Sequence, residues 1–235
     1  MKKITLVILF IVSIAFTLRA QSYSLQMINS DLNCYLDFFP NKTYLIKLSY
    51  KGASDLMMSQ IFSFGDYQIA ENGNYKLTDR THQYTFTLEP VSGNKVFMVK
   101  DGFQWMQLNF FVKTSERASS PANITKDFLT NKELVNYRER LKGETGGNMF
   151  SFSKGLYRSD FDKSLSVNLR NDSTYSVRYY SLELSSGTWE REGNFIKLKD
   201  KNIIPEFYAL IDPDNSLKSV LIPGDFSLIK FSATK

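Results

Sequence analysis

From Thr43 to Tyr50 the side chains alternate, placing Tyr44, Ile46, Leu48 and Tyr50 on one face. Thr81 to Glu89 repeats the pattern, with Thr81, Gln83, Thr85 and Thr87 on one side and His82, Tyr84, Phe86 and Leu88 on the other. Ser164 to Arg170 sets Leu165, Val167 and Leu169 against polar neighbours. A period of two in aromatic and β-branched residues predicts antiparallel strands that bury one face. Turn-forming residues separate them at Pro40-Asn41, Asn72-Gly73-Asn74, Ser92-Gly93-Asn94, Asn171-Asp172, Gly193-Asn194 and Pro213-Asp214-Asn215.

The pattern recurs along the chain. Pro40-Asn41-Lys42-Thr43-Tyr44 leaves one strand and opens another, and Asn171-Asp172-Ser173-Thr174-Tyr175 does the same later. Gly65-Asp66-Tyr67 leads to Gly73-Asn74-Tyr75-Lys76-Leu77, and Gly187-Thr188-Trp189 leads to Gly193-Asn194-Phe195-Ile196-Lys197-Leu198. Each half then closes with apolar strands, Val96–Val112 and Val220–Phe231, each interrupted by Asp and Gly. Self-similarity of this kind indicates an internal duplication. The expected fold is mainly β, with two similar antiparallel barrel- or sandwich-like modules over residues 23–112 and 149–235.

Residues 113–148 read as a linker holding the one helix. Thr130-Asn131-Lys132-Glu133 has the spacing of a capping box, in which two side chains satisfy each other's free backbone amides. Leu134, Tyr137 and Leu141 follow at helical spacing and Gly143 is a natural stop, which predicts a helix over about 130–142. Gly146-Gly147 adds a second joint.

The first 20 residues have the three parts of a secretory signal peptide: Lys2 and Lys3, an apolar run from Ile4 to Leu18, and Ala20 as a small residue at the cleavage point. The run is too short for a spanning helix, so the expectation is export, with a periodic match to a periplasmic or extracellular mature chain that has no transmembrane span. Export changes the electrostatic picture. The full chain carries 29 Lys and Arg against 24 Asp and Glu, a net +5. Lys2, Lys3 and Arg19 depart with the signal, leaving 26 basic against 24 acidic side chains, a balance of +2. No window concentrates the remaining cations, which argues against nucleic acid as a partner. The strands are too short, and too often interrupted by Lys and Glu, for a lipid-facing outer-membrane barrel.

Few residues here can do chemistry. One cysteine and one histidine exclude zinc sites and histidine-based triads, and no glycine-rich loop is present to cradle a phosphate. Cys34, alternating with Leu36 and Phe38, reads as a buried small hydrophobe, and His82 as a partly buried structural residue. The carboxylate pairs Asp160/Asp162 and Glu190/Glu192 are the remaining route to hydrolysis, yet both fit solvated strand edges. Asp212-Pro213-Asp214-Asn215 lacks the glycine and distal Glu of a calcium loop. No metal or cofactor is expected, and no catalytic set stands out. Among the aromatics, Trp189 occupies the repeated Gly-x-aromatic position and reads as structural. Trp105, between Gln104 and Gln107, has no counterpart and is the candidate ligand-binding residue.

The run Leu169-Arg-Asn-Asp-Ser-Thr-Tyr, followed by Gly187-Thr-Trp and Gly193-Asn-Phe-Ile-Lys-Leu, resembles small bacterial envelope β-barrel domains of the lipocalin-like and copper-resistance-lipoprotein-like kinds. It spans residues 169–198 and lacks the paired cysteines of the copper group, so metal sensing is not carried over. The resemblance implies a barrel that binds something in it or on it. The expected function is therefore an exported, non-enzymatic binding or scaffold protein of the cell envelope, with a glycan, lipid or envelope protein as partner. The alternatives are a carboxylate-dependent glycoside hydrolase and an interaction partner with no small-molecule site.

Overall fold

A computed structural model describes residues 20–26, 32–51, 57–93, 96–115, 131–144, 148–160, 163–203, 206–219 and 230–234. The signal segment before Ala20, Thr130 of the capping box, Gly146-Gly147, Asp162 and residues 220–229 of the last strand pair lie outside the described residues, as does the side chain of Leu134.

Eight strands form the first module: β1 Gln21–Gln26, β2 Leu32–Phe38, β3 Thr43–Lys51, β4 Met57–Ile69, β5 Tyr75–Asp79, β6 Thr85–Pro90, β7 Val96–Asp101 and β8 Phe110–Lys113. Eight more form the second: β9 Gly155–Ser159, β10 Leu165–Leu169, β11 Thr174–Tyr179, β12 Leu182–Glu192, β13 Phe195–Asp200, β14 Phe207–Ile211, β15 Leu217–Ser219 and β16 Lys230–Ala233. Each set is a closed antiparallel barrel in which neighbours in sequence are neighbours in space. The first closes where Ser24 pairs with Val112, and the second where Ser232 pairs with Arg158. Between them lies one helix, α1 (Asn131–Glu144). It continues through Gly143, which the sequence marked as its stop, and holds the second barrel at two points. The Arg138 guanidinium lies 4.3 Å from the Tyr208 ring centroid, and Lys142 Nζ lies 3.0 Å from a Glu192 carboxylate oxygen.

The duplication extends to individual hydrogen bonds. In both barrels a carboxamide or carboxylate accepts from the Thr two residues on: Asn41 Oδ1 from Thr43 Oγ1 at 2.6 Å, and Asp172 Oδ1 from Thr174 Oγ1 at 2.7 Å. The residue between sits in the left-handed region, Lys42 at φ 63° and Ser173 at φ 64°. Tyr44 on β3 and Tyr175 on β11 then occupy equivalent third strands, and a register shift follows each, after Ile46 and after Val177. Tyr67 and Trp189 also correspond. Each donates from its ring to the strand before the turn, Tyr67 Oη to Phe39 O and Trp189 Nε1 to Arg170 O.

Both interiors are filled. Tyr23, Leu36, Tyr44, Ile46, Phe62, Leu77, Phe86, Phe97, Val99 and Phe111 are all fully buried in the first barrel. Each such side chain contributes about 1.5–3 kcal/mol by leaving water. An aromatic plug of Tyr23, Phe38, Tyr67, Tyr75 and Phe97 closes one end, with ring centroids 4.7–5.9 Å apart. Burial pushes the Tyr23 phenol up to about 12, and the neighbouring Tyr75 and Tyr67 add to the effect. In the second barrel the equivalent end is covered by a strap, residues 148–153. Asn194 anchors it by accepting from Phe150 N at 2.8 Å and donating to Asn148 O at 2.6 Å. Asn215 Oδ1 accepts from Ser153 N at 2.9 Å, and Phe152 packs against Trp189.

One buried group carries a pH consequence. Asp37 lies on the outer side of β2 between Ser22 and Leu45, is 1% exposed, and neither carboxylate oxygen has a hydrogen-bond partner. Burial raises its carboxyl above the ordinary 3.8, against the opposing influence of Ser22 and Lys47. A raised folded value means the folded state holds the proton more tightly, so stability is lost as pH climbs through that value. Asp37→Asn is therefore expected to gain about 1 kcal/mol at pH 7 by removing an unpaired buried charge. The gain should shrink as the pH of a urea-unfolding series approaches 4. A gain independent of pH would show that the ionised carboxylate is not the source.

Candidate functional site

Asp79 ends β5 and organises the turn that follows. Its Oδ1 accepts from Thr81 N at 2.9 Å and His82 N at 2.7 Å, while Oδ2 accepts from Ser63 Oγ at 2.8 Å and Phe64 N at 3.4 Å. Ser63 in turn meets the Tyr44 hydroxyl at 2.7 Å. The second barrel repeats the network. Asp200 Oδ1 accepts from Asn202 N and Ile203 N, and Oδ2 from Ser185 Oγ at 2.6 Å and Ser186 N. Ser185 meets the Tyr175 hydroxyl at 2.6 Å. Burial raises both phenols, and the aspartate beside each adds to the rise.

This capping alters the strand expected over Thr81–Glu89. Because Asp79 takes the amides of Thr81 and His82, and Gln83 turns through φ 61°, residues 80–84 form a turn and β6 begins only at Thr85. His82 is thus a turn residue, not a strand residue. It is 6% exposed, packed 5.5 Å edge-on to Phe207 of the second barrel and stacked 6.2 Å from Tyr84. Phe103 also stacks on Phe207, at 6.4 Å. The barrels therefore meet through topologically equivalent turns, β5–β6 against β13–β14.

At this seam lies a cleft of about 380 Å3, lined by Gln83, Tyr84, Thr85, Asp101 and Gly102 from one barrel and Asn202 and Ile203 from the other. Its polar groups are two carboxamides, a threonine hydroxyl and one carboxylate. Asp101 is held in place by Thr87, whose N–H and hydroxyl donate to it at 2.7 and 3.2 Å. Gly102 adopts φ 134° against the Cβ of Phe86, where a side chain would lie 2.9 Å away. Tyr84 lines the cleft with its hydroxyl buried and unbonded. Burial and the Asp79 carboxylate push that phenol well above its ordinary value.

Trp105 does not line the cleft. It sits in the β7–β8 connection, half-buried, with its ring 5.3 Å edge-on to Phe62 and its Nε1–H buried without an acceptor. It reaches the seam through a row of rings, since Phe62 contacts Phe103 at 5.3 Å and Phe103 contacts Tyr84 at 5.1 Å. The same connection holds Leu108 76% exposed at φ 61°. Gln107 Nε2 donating to Gly102 O, and Asn109 Nδ2 donating to Trp105 O, fix its shape.

The carboxylates that sequence singled out are engaged elsewhere. Glu190 is paired with Lys197 and Lys199, Glu192 with Lys142, and Asp160 with Lys163 and the Ser232 hydroxyl. Asp214 pairs with Lys230 at 2.5 Å and is held down to about 2, chiefly by that bond and the Ser216 hydroxyl. Cys34 is buried, and burial raises its thiol well above the reactive range. Among the described residues no three His, Cys, Asp or Glu side chains gather as metal ligands, and no helix is long and apolar enough to cross a membrane.

The cleft residues Gln83, Tyr84, Asp101 and Asn202 carry no motif of their own. The available signal was the second copy: Asp79-Arg80-Thr81-His82 and Asp200-Lys201-Asn202-Ile203 are the same turn in the two repeats. The chain matches no family model, and no curated protein or solved structure matches it.

Proposed function

We propose that this chain is an exported, non-enzymatic binding protein of the bacterial cell envelope, of the lipocalin-like kind, whose ligand is a glycan held between the two barrels. The observation that carries this reading is the seam cleft. Eight-stranded up-and-down closure is the architecture of single-ligand barrels. Here, however, both interiors are occupied by aromatic side chains, so the space for a ligand lies between the modules. Its lining of amide, hydroxyl and carboxylate groups around Tyr84 and Ile203 suits a neutral polyhydroxylated molecule better than an acyl chain. Glycoside hydrolysis needs a second carboxylate across the bond, and Asp101 is the one acid lining the cleft.

The test is a binding screen of the full chain against glycan and lipid panels, beside Asn202→Ala and Trp105→Ala. Asn202→Ala is expected to weaken the best glycan about tenfold by removing one amide. Trp105→Ala should have a smaller effect, because Trp105 acts through the rings beneath the cleft. Binding confined to lipids, or glycan binding indifferent to Asn202, would overturn the assignment.

A further inference from the structure

The turn facing the second barrel holds an unusual concentration of buried polar atoms without partners. Thr81 is 2% exposed, His82 6% and Tyr84 1%. The Thr81 Oγ1, both His82 ring nitrogens and the Tyr84 hydroxyl have no hydrogen bond. The nearby acceptors are already committed. Asp79 spends both oxygens on Ser63 and on three backbone amides, and its approach to His82 Nδ1, at 3.5 Å, is too long for a hydrogen bond. Native proteins satisfy nearly all buried polar groups, because each one left unmet costs a full desolvation penalty. Here four such atoms lie within four consecutive residues, and Tyr84, one of their bearers, lines the cleft. Against them sit only Phe207, Phe103 and Ile203, which offer no side-chain partner.

We infer that Thr81, His82 and Tyr84 are binding residues of the seam. A hydroxyl-bearing saccharide provides the partners they lack, entering as the β5–β6 and β13–β14 turns part. This rests on the reading of the cleft as a glycan site and extends it. The closed seam leaves these groups unsatisfied, so separating the turns costs less than its buried apolar area implies. Sugar hydroxyls both donate and accept, which matches an imidazole with one donor and one acceptor nitrogen and two side-chain hydroxyls. The exposed rim groups, Gln83, Thr85, Asp101 and Asn202, would meet the ligand first.

The prediction separates stability from affinity. Tyr84→Phe and Thr81→Val each delete an unbonded hydroxyl while keeping the shape of the side chain. Each should leave the thermal midpoint of the free protein unchanged or raised, because no bond is lost. Each should also weaken binding of the full chain to its best ligand among maltotetraose, xylotetraose and chitotetraose about tenfold, as measured by titration calorimetry. A fall of several degrees in the midpoint would mean that these hydroxyls have partners in the free protein, and would overturn the inference. Unchanged affinity in both variants, with Asn202→Ala still weakened, would also overturn it while the cleft assignment stands. If the wild type binds none of the three tetrasaccharides, both fall together.

Discussion

Gly65→Ala should destabilise the first barrel by about 3 kcal/mol or more, among the largest losses available to a single methyl group. Gly65 on β4 pairs with Tyr44 on one side and Asp79 on the other. A Cβ built there falls 1.8 Å from the carbonyl oxygen of Thr78 on β5, and Gly187 repeats the conflict at 1.9 Å from Lys199 O. The obstacle is backbone, so no side-chain rotation relieves it and two strands must separate. The separation would fall where Tyr44, Ser63 and Asp79 need their present spacing to bond. Gly73→Ala is the control. Nothing lies within 4 Å of its Cβ, and only its φ of 83° opposes a side chain, a cost of about 1–2 kcal/mol. Denaturant unfolding of the two variants should differ clearly. Equal losses would mean that β4 and β5 tolerate a wider spacing than they show.

Asp79→Ala should cost about 3–5 kcal/mol, and Asp200→Ala distinctly less. Both carboxylates receive four donors in the same arrangement. They differ in access to water: Asp79 is 1% exposed, whereas Asp200 is only partly buried. Donors stranded at Asp200 can turn to solvent, and those at Asp79 cannot. Asp79→Ala should also loosen the turn that carries His82, so amide exchange in residues 80–86 should quicken more than exchange in 201–203. Matching losses at the two sites would mean that burial does not govern the network's worth.

Much of the architecture was written in the alternation. Tyr44, Ile46 and Leu48 do line one interior, Leu165, Val167 and Leu169 the other, and the Thr-Tyr turns mark equivalent strands. The helix was legible from Tyr137 and Leu141, which are half-buried against the core. The seam was hidden by two physical facts. A side chain capping backbone amides overrides local alternation, so the stretch from Thr81 to Gln83 looked like strand while Asp79 held it as a turn. The repeat also slips along the chain. Tyr175 lies 131 positions beyond Tyr44, but Ser185 lies 122 beyond Ser63 and Asp200 lies 121 beyond Asp79. The slip arises because β11 and β12 turn through Tyr180-Ser181 alone, whereas β3 and β4 are joined by a longer connection from Lys51 to Met57. Aligned strings therefore end before the residues that form the site. Trp105, conspicuous for its ring and its glutamine neighbours, turned out to support the seam from one layer back.

Barrel closure by the first and last strand of each module has a consequence for how the chain reaches this state. Every other pairing is a hairpin that can form as soon as its two strands exist, but β1 must wait for β8 and β9 for β16. Those two joins carry the largest sequence separation, and so the largest share of the entropy that slows β folding. During the wait, four unpaired strand edges coexist on one chain, and duplication has made them near-copies. β1 can then be offered β16 in place of β8. A chain that becomes available from its N-terminus resolves the competition by timing, since β8 arrives more than a hundred residues ahead of its rival. Refolding from denaturant removes that order of arrival and opens the route to crossed closure, within one molecule or between two.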